Sequence, residues 1–147
     1  MSKKALIIYG TRTNQTKKIA ELIAEGIRFG GAEAKVVNVN EFDPEKDNPK
    51  DYDAIIIGSP TYHGEMLQSI KTLLFKLESI GLEGKVGGSF GAYGWSGEAN
   101  DRIYNTMLHV LKMNMVSDTL RLKSADLGGG IQMAQSYGKE IAKKMMS

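Results

Sequence analysis

Short apolar runs without alternation take turns along this chain with stretches whose apolar residues recur at three- and four-residue spacing. In Lys3 to Tyr9 the residues Ala5, Leu6, Ile7 and Ile8 are all apolar, the pattern of a strand covered on both faces. Ile19, Leu22, Ile23 and Ile27 then mark one face of a helix that Gly30 and Gly31 stop. Ala34 to Val39 reads as a second strand whose charged and amide residues suit a sheet edge. The segment 41–53 is acidic, holds Pro44 and Pro49 and leaves room for at most a short helical turn.

Ala54 to Ile57 repeats the unbroken apolar pattern and predicts a central third strand. A helix follows over Met66 to Ile80, with Leu67, Ile70, Leu74 and Leu77 on its inner face and Gly81 closing it. Lys85 to Phe90 is a fourth strand loosened by glycines, which often mark a close approach of another backbone or a ligand. Ser96, Gly97 and Glu98 open a third helix facing inward with Ile103, Met107, Val110 and Leu111. Met115 to Lys123 is the fifth strand, its Asp118 and Arg121 marking the other edge, and the last helix uses Ile131, Ala134, Ile141 and Met145.

Strand and helix in alternation predict an α/β fold of three layers, α/β/α, around a five-stranded parallel sheet, because parallel crossovers are right-handed and cover both faces. The two uniformly apolar strands, first and third, belong side by side in the middle, giving the order 2-1-3-4-5. Ligands of such sheets bind beyond the carboxyl ends of the strands at the switch point, here between strands 1 and 3. The loops located there are Gly10 to Thr16, Ser59 to Glu65 and Gly91 to Gly97.

The totals narrow the chemistry. The 147 residues, 41% hydrophobic and 24% charged, suit one globular domain over residues 1–147. There is no cysteine, which removes disulfides, thiolate metal sites and a cysteine nucleophile. His63 and His109 are the two histidines, too few for a histidine-rich metal centre, and no metal is expected. No apolar run approaches membrane-spanning length and the first residues are no secretion signal, so the expectation is a cytoplasmic, unprocessed protein with no membrane contact. The net charge of +2 arises without any basic block; nucleic acid is therefore not an expected partner. Lys143 and Lys144 read as a solvated helix end.

Thr11, Arg12, Thr13, Asn14, Gln15 and Thr16 are all hydrogen-bonding residues placed where a helix start leaves its N–H donors unpaired. That arrangement predicts a phosphate site. It has neither the glycine pattern of a dinucleotide loop nor the Gly-Lys-Thr/Ser of a nucleoside-triphosphate loop. A neutral, hydroxyl-rich cradle fits a terminal monophosphate. The second loop contributes Tyr62, and the third Tyr93 and Trp95, the only tryptophan. A flat ligand with a phosphate tail fits between Tyr62 on one face and either Trp95 or Tyr93 on the other.

Taken together, Gly10 to Thr16, Ser59 to Glu65 and Gly91 to Ala99 resemble the corresponding loops of the flavodoxins, FMN carriers on this fold. The second and third loops look most like those of the flavodoxin-like domain of flavodiiron proteins. Asn14 stands where the family has glycine, Gln15 where it has asparagine, and the charge is less acidic than in many members. The fifth strand enters the last helix without a long insertion, as in the short-chain type. The resemblance implies that Thr11, Thr13, Asn14, Gln15 and Thr16 bind the FMN phosphate, while Arg12 either adds charge there or points to water. It implies that Pro60, Thr61, Tyr62, His63 and Gly64 line the isoalloxazine, with Ala92, Tyr93, Gly94, Trp95 and Gly97 opposite.

The function so implied is low-potential one-electron transfer by a monomer between redox proteins: ferredoxin, other iron–sulfur proteins or flavodiiron proteins. The flavin does the chemistry, so no catalytic residue is assigned. The peptide between His63 and Gly64 is the expected switch, turning its carbonyl toward the flavin N5 when that atom gains a proton, since glycine accepts both peptide orientations. His63 would tune the potential through its charge below about pH 6.5. Glu65 and Glu98 would favour the starts of their helices, and His109 would be structural. The alternative is an FMN-dependent NAD(P)H:quinone or flavin reductase. A receiver domain shares the sheet order but needs carboxylates at strand ends where this chain has Tyr9-Gly10 and Gly58-Ser59.

Overall fold

In the first strand, β1 (Lys4–Tyr9), alternate residues serve opposite faces of the sheet and all five after Lys4 are buried. Ala5, Ile7 and Tyr9 belong to one core and Leu6 and Ile8 to the other, which is why the strand shows no polar alternation. The computed structural model describes residues 3–11, 14–61, 65–92, 98–117, 119–122 and 129–147. The chain continues through α1 (Gln15–Phe29), β2 (Glu33–Asn38), a short 3-10 turn (Pro49–Asp51), β3 (Ala54–Gly58), α2 (Gln68–Glu78) and β4 (Val86–Ala92). It ends with α3 (Glu98–His109), β5 (Asn114–Met115), β6 (Leu120–Leu122) and α4 (Gly130–Met146).

The sheet runs β2-β1-β3-β4-β5 with β6 also on β4, and each of these strand pairings is parallel. Ile7 lies opposite Val36 on one side and Ile56 on the other. The first core packs β1, β3 and β4 against Ile19, Ile23 and Ile27 of α1 and Tyr137 and Ile141 of α4. The second packs Ile55 and Ile57 against Ile70 and Leu77 of α2 and Ile103 and Met107 of α3. On the first face α1 and α4 meet backbone to backbone. A Cβ on Gly26 would overlap the Gln135 carbonyl, and one on Gly138 would overlap that of Ile23. Among the described residues, no helix is long and apolar enough to cross a membrane.

The predicted order holds, with one division. The fifth strand is two short pieces, β5 and β6, making six strands among the described residues. Between them Ser117 has φ 31, a left-handed conformation that breaks the ladder. Two helix-face expectations are corrected. Val110 is 48% exposed because α3 ends at His109, one residue earlier. Ile131 is 45% exposed; the buried row of α4 is Gly130, Ala134, Gly138, Ile141 and Met145, and the residue after Gly130 is turned about 100° away from it. Asp118 and Lys123 lie outside the described residues.

Candidate cofactor site

The carboxyl ends of the central strands are stitched together where the loops leave them. The Gly10 N–H donates to the Gly58 carbonyl at 3.0 Å, Ser59 N–H to Phe90 at 3.2 Å and Thr61 N–H to Ala92 at 3.4 Å. Gly58 leaves room for the Phe90 ring, which a Cβ would strike. The three loops named from sequence therefore rise from adjacent strands, β1, β3 and β4.

Asn14 forms the N-cap of α1 with φ 66 and ψ 3. This left-handed conformation is one glycine adopts freely and asparagine tolerates better than other residues. Its carbonyl accepts from Lys18 N–H at 3.1 Å, starting the helix, while its side chain makes no cap hydrogen bond. The α1 N-terminus thus keeps its first N–H groups for something else. Among the described residues, the buried side-chain oxygens without a partner are Thr11 Oγ1, Gln15 Oε1 and Thr16 Oγ1. A buried polar group left unpaired costs about 1–3 kcal/mol, and here three fall within residues 11–16, at and just before one helix start. Two are hydroxyls that donate to an anion. Gln15 offers its amide N–H instead once the amide is turned over, an orientation assigned from hydrogen bonding.

The first turn of α1 holds no acidic residue. It carries Lys17 and Lys18, both exposed, where a cation opposes the helix dipole but favours a bound anion. These two lysines were not singled out from sequence; their place directly after the loop was the available signal. Arg12 and Thr13 lie outside the described residues.

The second loop is held at its base by Ser59. Its hydroxyl donates to the Pro60 carbonyl at 2.9 Å and accepts from Leu67 N–H at 3.1 Å, closing the loop onto the start of α2. Pro60 and Thr61 are half-buried; Tyr62, His63 and Gly64 lie outside the described residues. In the third loop Ala92 is buried at the end of β4, and Tyr93, Gly94, Trp95 and Gly97 lie outside the described residues.

Glu65 does not act as a helix-start charge. α2 begins three residues later with no acid in its first turn, and the Glu65 carboxylate is bound by Arg102 of α3 and Lys71 of α2. Glu98 is the first residue of α3. His109 is exposed in the last turn of that helix, at the end opposite the third loop.

Comparison with known proteins follows the same geometry. A family profile described as a flavodoxin domain matches residues 6–80. A type A flavoprotein of Rhodobacter capsulatus is 33% identical over 147 aligned residues, covering 95% of this chain and 33% of that protein. Among solved structures, a flavodoxin from the domain Archaea superposes with a TM-score of 0.91 at 30% identity, covering 98% of this chain and 99% of that one. The flavodiiron core of a Synechocystis protein gives a TM-score of 0.90 at 26% identity, covering 99% of this chain and 36% of that one. The chain spans between 25% and 36% of the length of the curated relatives it matches.

Proposed function

The chain belongs to the flavodoxin family, and from that premise we propose that it is a one-electron carrier between redox proteins. It is an FMN-binding domain of flavodoxin type. FMN, when bound, supplies one-electron chemistry that no side chain of this protein provides. The protein's part is to bind, orient and shield it.

The observation that carries this reading is the trio of unpartnered buried oxygens of Thr11, Gln15 and Thr16 at the start of α1. They fit a phosphate monoester: hydroxyl and amide donors, free helix N–H groups and no competing carboxylate in the turn. Thr13, Asn14 and Arg12 complete that half of the site. The ring half is the pair of loops flanking it. Pro60, Thr61, Tyr62, His63 and Gly64 serve one side, and Ala92, Tyr93, Gly94, Trp95 and Gly97 the other. The likeness to a flavodoxin matched over 99% of its length supports a carrier role for this domain. Likeness to a flavodiiron core supports an iron-containing acceptor or donor, with ferredoxin as the other partner. The setting is cytoplasmic.

The deciding experiment is a visible spectrum of the purified protein followed by cofactor release. Flavin bands, with FMN and not FAD released on denaturation, support the reading. A colourless protein that fails to quench micromolar FMN fluorescence refutes it. Rapid exchange with reduced ferredoxin, without steady-state NAD(P)H oxidation, distinguishes a carrier from a quinone or flavin reductase.

A further inference from the structure

The helix α1 begins against its own electrostatics. Its first turn holds no acidic residue, and its third residue is Lys17, exposed, where a cation meets the positive end of the helix dipole. The Lys18 N–H is taken by the Asn14 carbonyl at 3.1 Å. Gln15, Thr16 and Lys17 precede that bond, so the helix offers their N–H groups no acceptor. The Asn14 side chain caps none of them. Within the same stretch Thr11 Oγ1, Gln15 Oε1 and Thr16 Oγ1 are buried without a partner, and Thr16 is 1% exposed. An opposed dipole and a group of buried orphan oxygens are separate faults, and one anion relieves both.

We propose that Lys17 is a specificity residue for the phosphate tail: its charge weakens the start of α1 in the apo-protein and strengthens the hold on FMN over riboflavin. The proposal rests on the FMN reading above and adds to it a residue beyond the hydroxyl-rich loop. A phosphate monoester carries about −1.5 to −2 charges at pH 7, whereas hydroxyl, amide and backbone donors are all neutral. Lys17 brings a helix-end N–H and a full positive charge to the same turn. Lys18, whose N–H is already used inside the helix, brings the charge alone. Helical side chains lean toward the N-terminus, so the Lys17 stem runs back toward the cap, the end at which the first N–H groups point. Its exposure makes the effect one of field and not of contact, modest in size and screened by salt.

The test reads two opposite signs from one residue. FMN and riboflavin, which has the same ring and lacks the phosphate, are titrated by fluorescence quenching into the full chain and its Lys17→Gln, Lys17→Glu, Lys17→Arg and Lys143→Gln variants. Each titration is run at low salt and at about 1 M salt, and the apo-proteins are melted in parallel. Lys143 is in the last turn of α4, whose Ala142 lies against Gly30 at the far end of α1, roughly 20 Å from its start. It therefore controls for net charge alone. At low salt Lys17→Gln should lower FMN affinity about two- to fivefold and Lys17→Glu about four- to twenty-five-fold, with riboflavin affinity unchanged. At about 1 M salt the variants should converge on the parent. Lys17→Glu should raise the apo melting temperature by about 1–4 °C. Lys17→Arg and Lys143→Gln should match the parent in FMN affinity. A parental ratio of FMN to riboflavin affinity in Lys17→Glu, an apo-protein that this variant destabilises, or an equal loss in Lys143→Gln overturns the role of Lys17 and leaves the FMN reading intact. A parent that binds neither flavin overturns that reading, and this one with it.

Discussion

The Tyr137 hydroxyl serves both backbone groups of Ser89. It accepts from the Ser89 N–H at 3.0 Å and donates to the Ser89 carbonyl at 3.1 Å. Ser89 lies on β4 opposite the break between β5 and β6, since Gly87 pairs with Met115 and Phe90 with Leu120. Thr119 Oγ1 donates to the same carbonyl at 3.0 Å. Side chains thus take over where the ladder is missing, as buried backbone groups require. A Cβ on Gly88 would come within 2.9 Å of that hydroxyl, so this glycine makes room for a side chain, not for a ligand.

Tyr137→Phe keeps the ring and removes the hydroxyl from a residue that is 5% exposed. The two hydrogen bonds between that hydroxyl and the Ser89 backbone are then lost. Stability should fall by about 1–3 kcal/mol, read as a lower urea midpoint with unchanged m-value.

Thr16→Val tests the cost of a prepared site. In the apo-protein Thr16 is 1% exposed and its hydroxyl is unpartnered, so replacing that group with an isosteric methyl should stabilise that form by about 1–3 kcal/mol. The gain should vanish or reverse in saturating FMN. Paired thermal melts with and without FMN measure both effects.

Asn14→Ala places an alanine at φ 66. The left-handed conformation costs such a residue about 1–2 kcal/mol, whereas Asn14→Gly should be neutral or stabilising in the folded form. Chemical denaturation of the three proteins should rank Gly at or above Asn, and Asn above Ala.

Asp47 and Tyr52 make the fold sensitive at both ends of the pH scale. The Lys35 ammonium bonded to Asp47 holds its carboxyl below the usual carboxylate range, against the opposing effect of burial and with further help from the Tyr52 hydroxyl. Burial first, and then the hydrogen bond to Asp47, push Tyr52 up to about 12. A depressed folded pKa means that the Asp47 contribution is present above its unfolded value, near 3.8, and is lost as pH falls through the folded one. A raised pKa means that the Tyr52 contribution is complete below 10 and is lost as pH rises from 10 to about 12. Tyrosinate absorbance should show a late-titrating step, and Tyr52→Phe should diminish it by one tyrosine.

The central strands were legible because burial on both faces leaves a signature in composition: Ala5 to Ile8 and Ala54 to Ile57 admit no polar residue. The start of α1 was legible for a related reason, since donors crowd a place where ordinary capping needs one. The break in the fifth strand was not. Met115, Val116, Leu120 and Leu122 look continuous, and the side chain that replaces the missing bonds comes from α4. The role of Glu65 is hidden for the same cause: it sits near a helix start in sequence, but its partner Arg102 lies on another helix. Val110 and Ile131 are errors of helix end and phase, which apolar spacing alone does not fix within a residue.

The divided margin of the sheet also bears on how the protein behaves when concentrated. β5 and β6 are two and three residues long and are set out of line by Ser117, too short to template a strand from another molecule. At the opposite margin, β2 presents Glu33 and Lys35 to solvent, charges that discourage the same approach. Among the described residues neither flank offers a long bare edge, so edge-to-edge polymerisation is disfavoured.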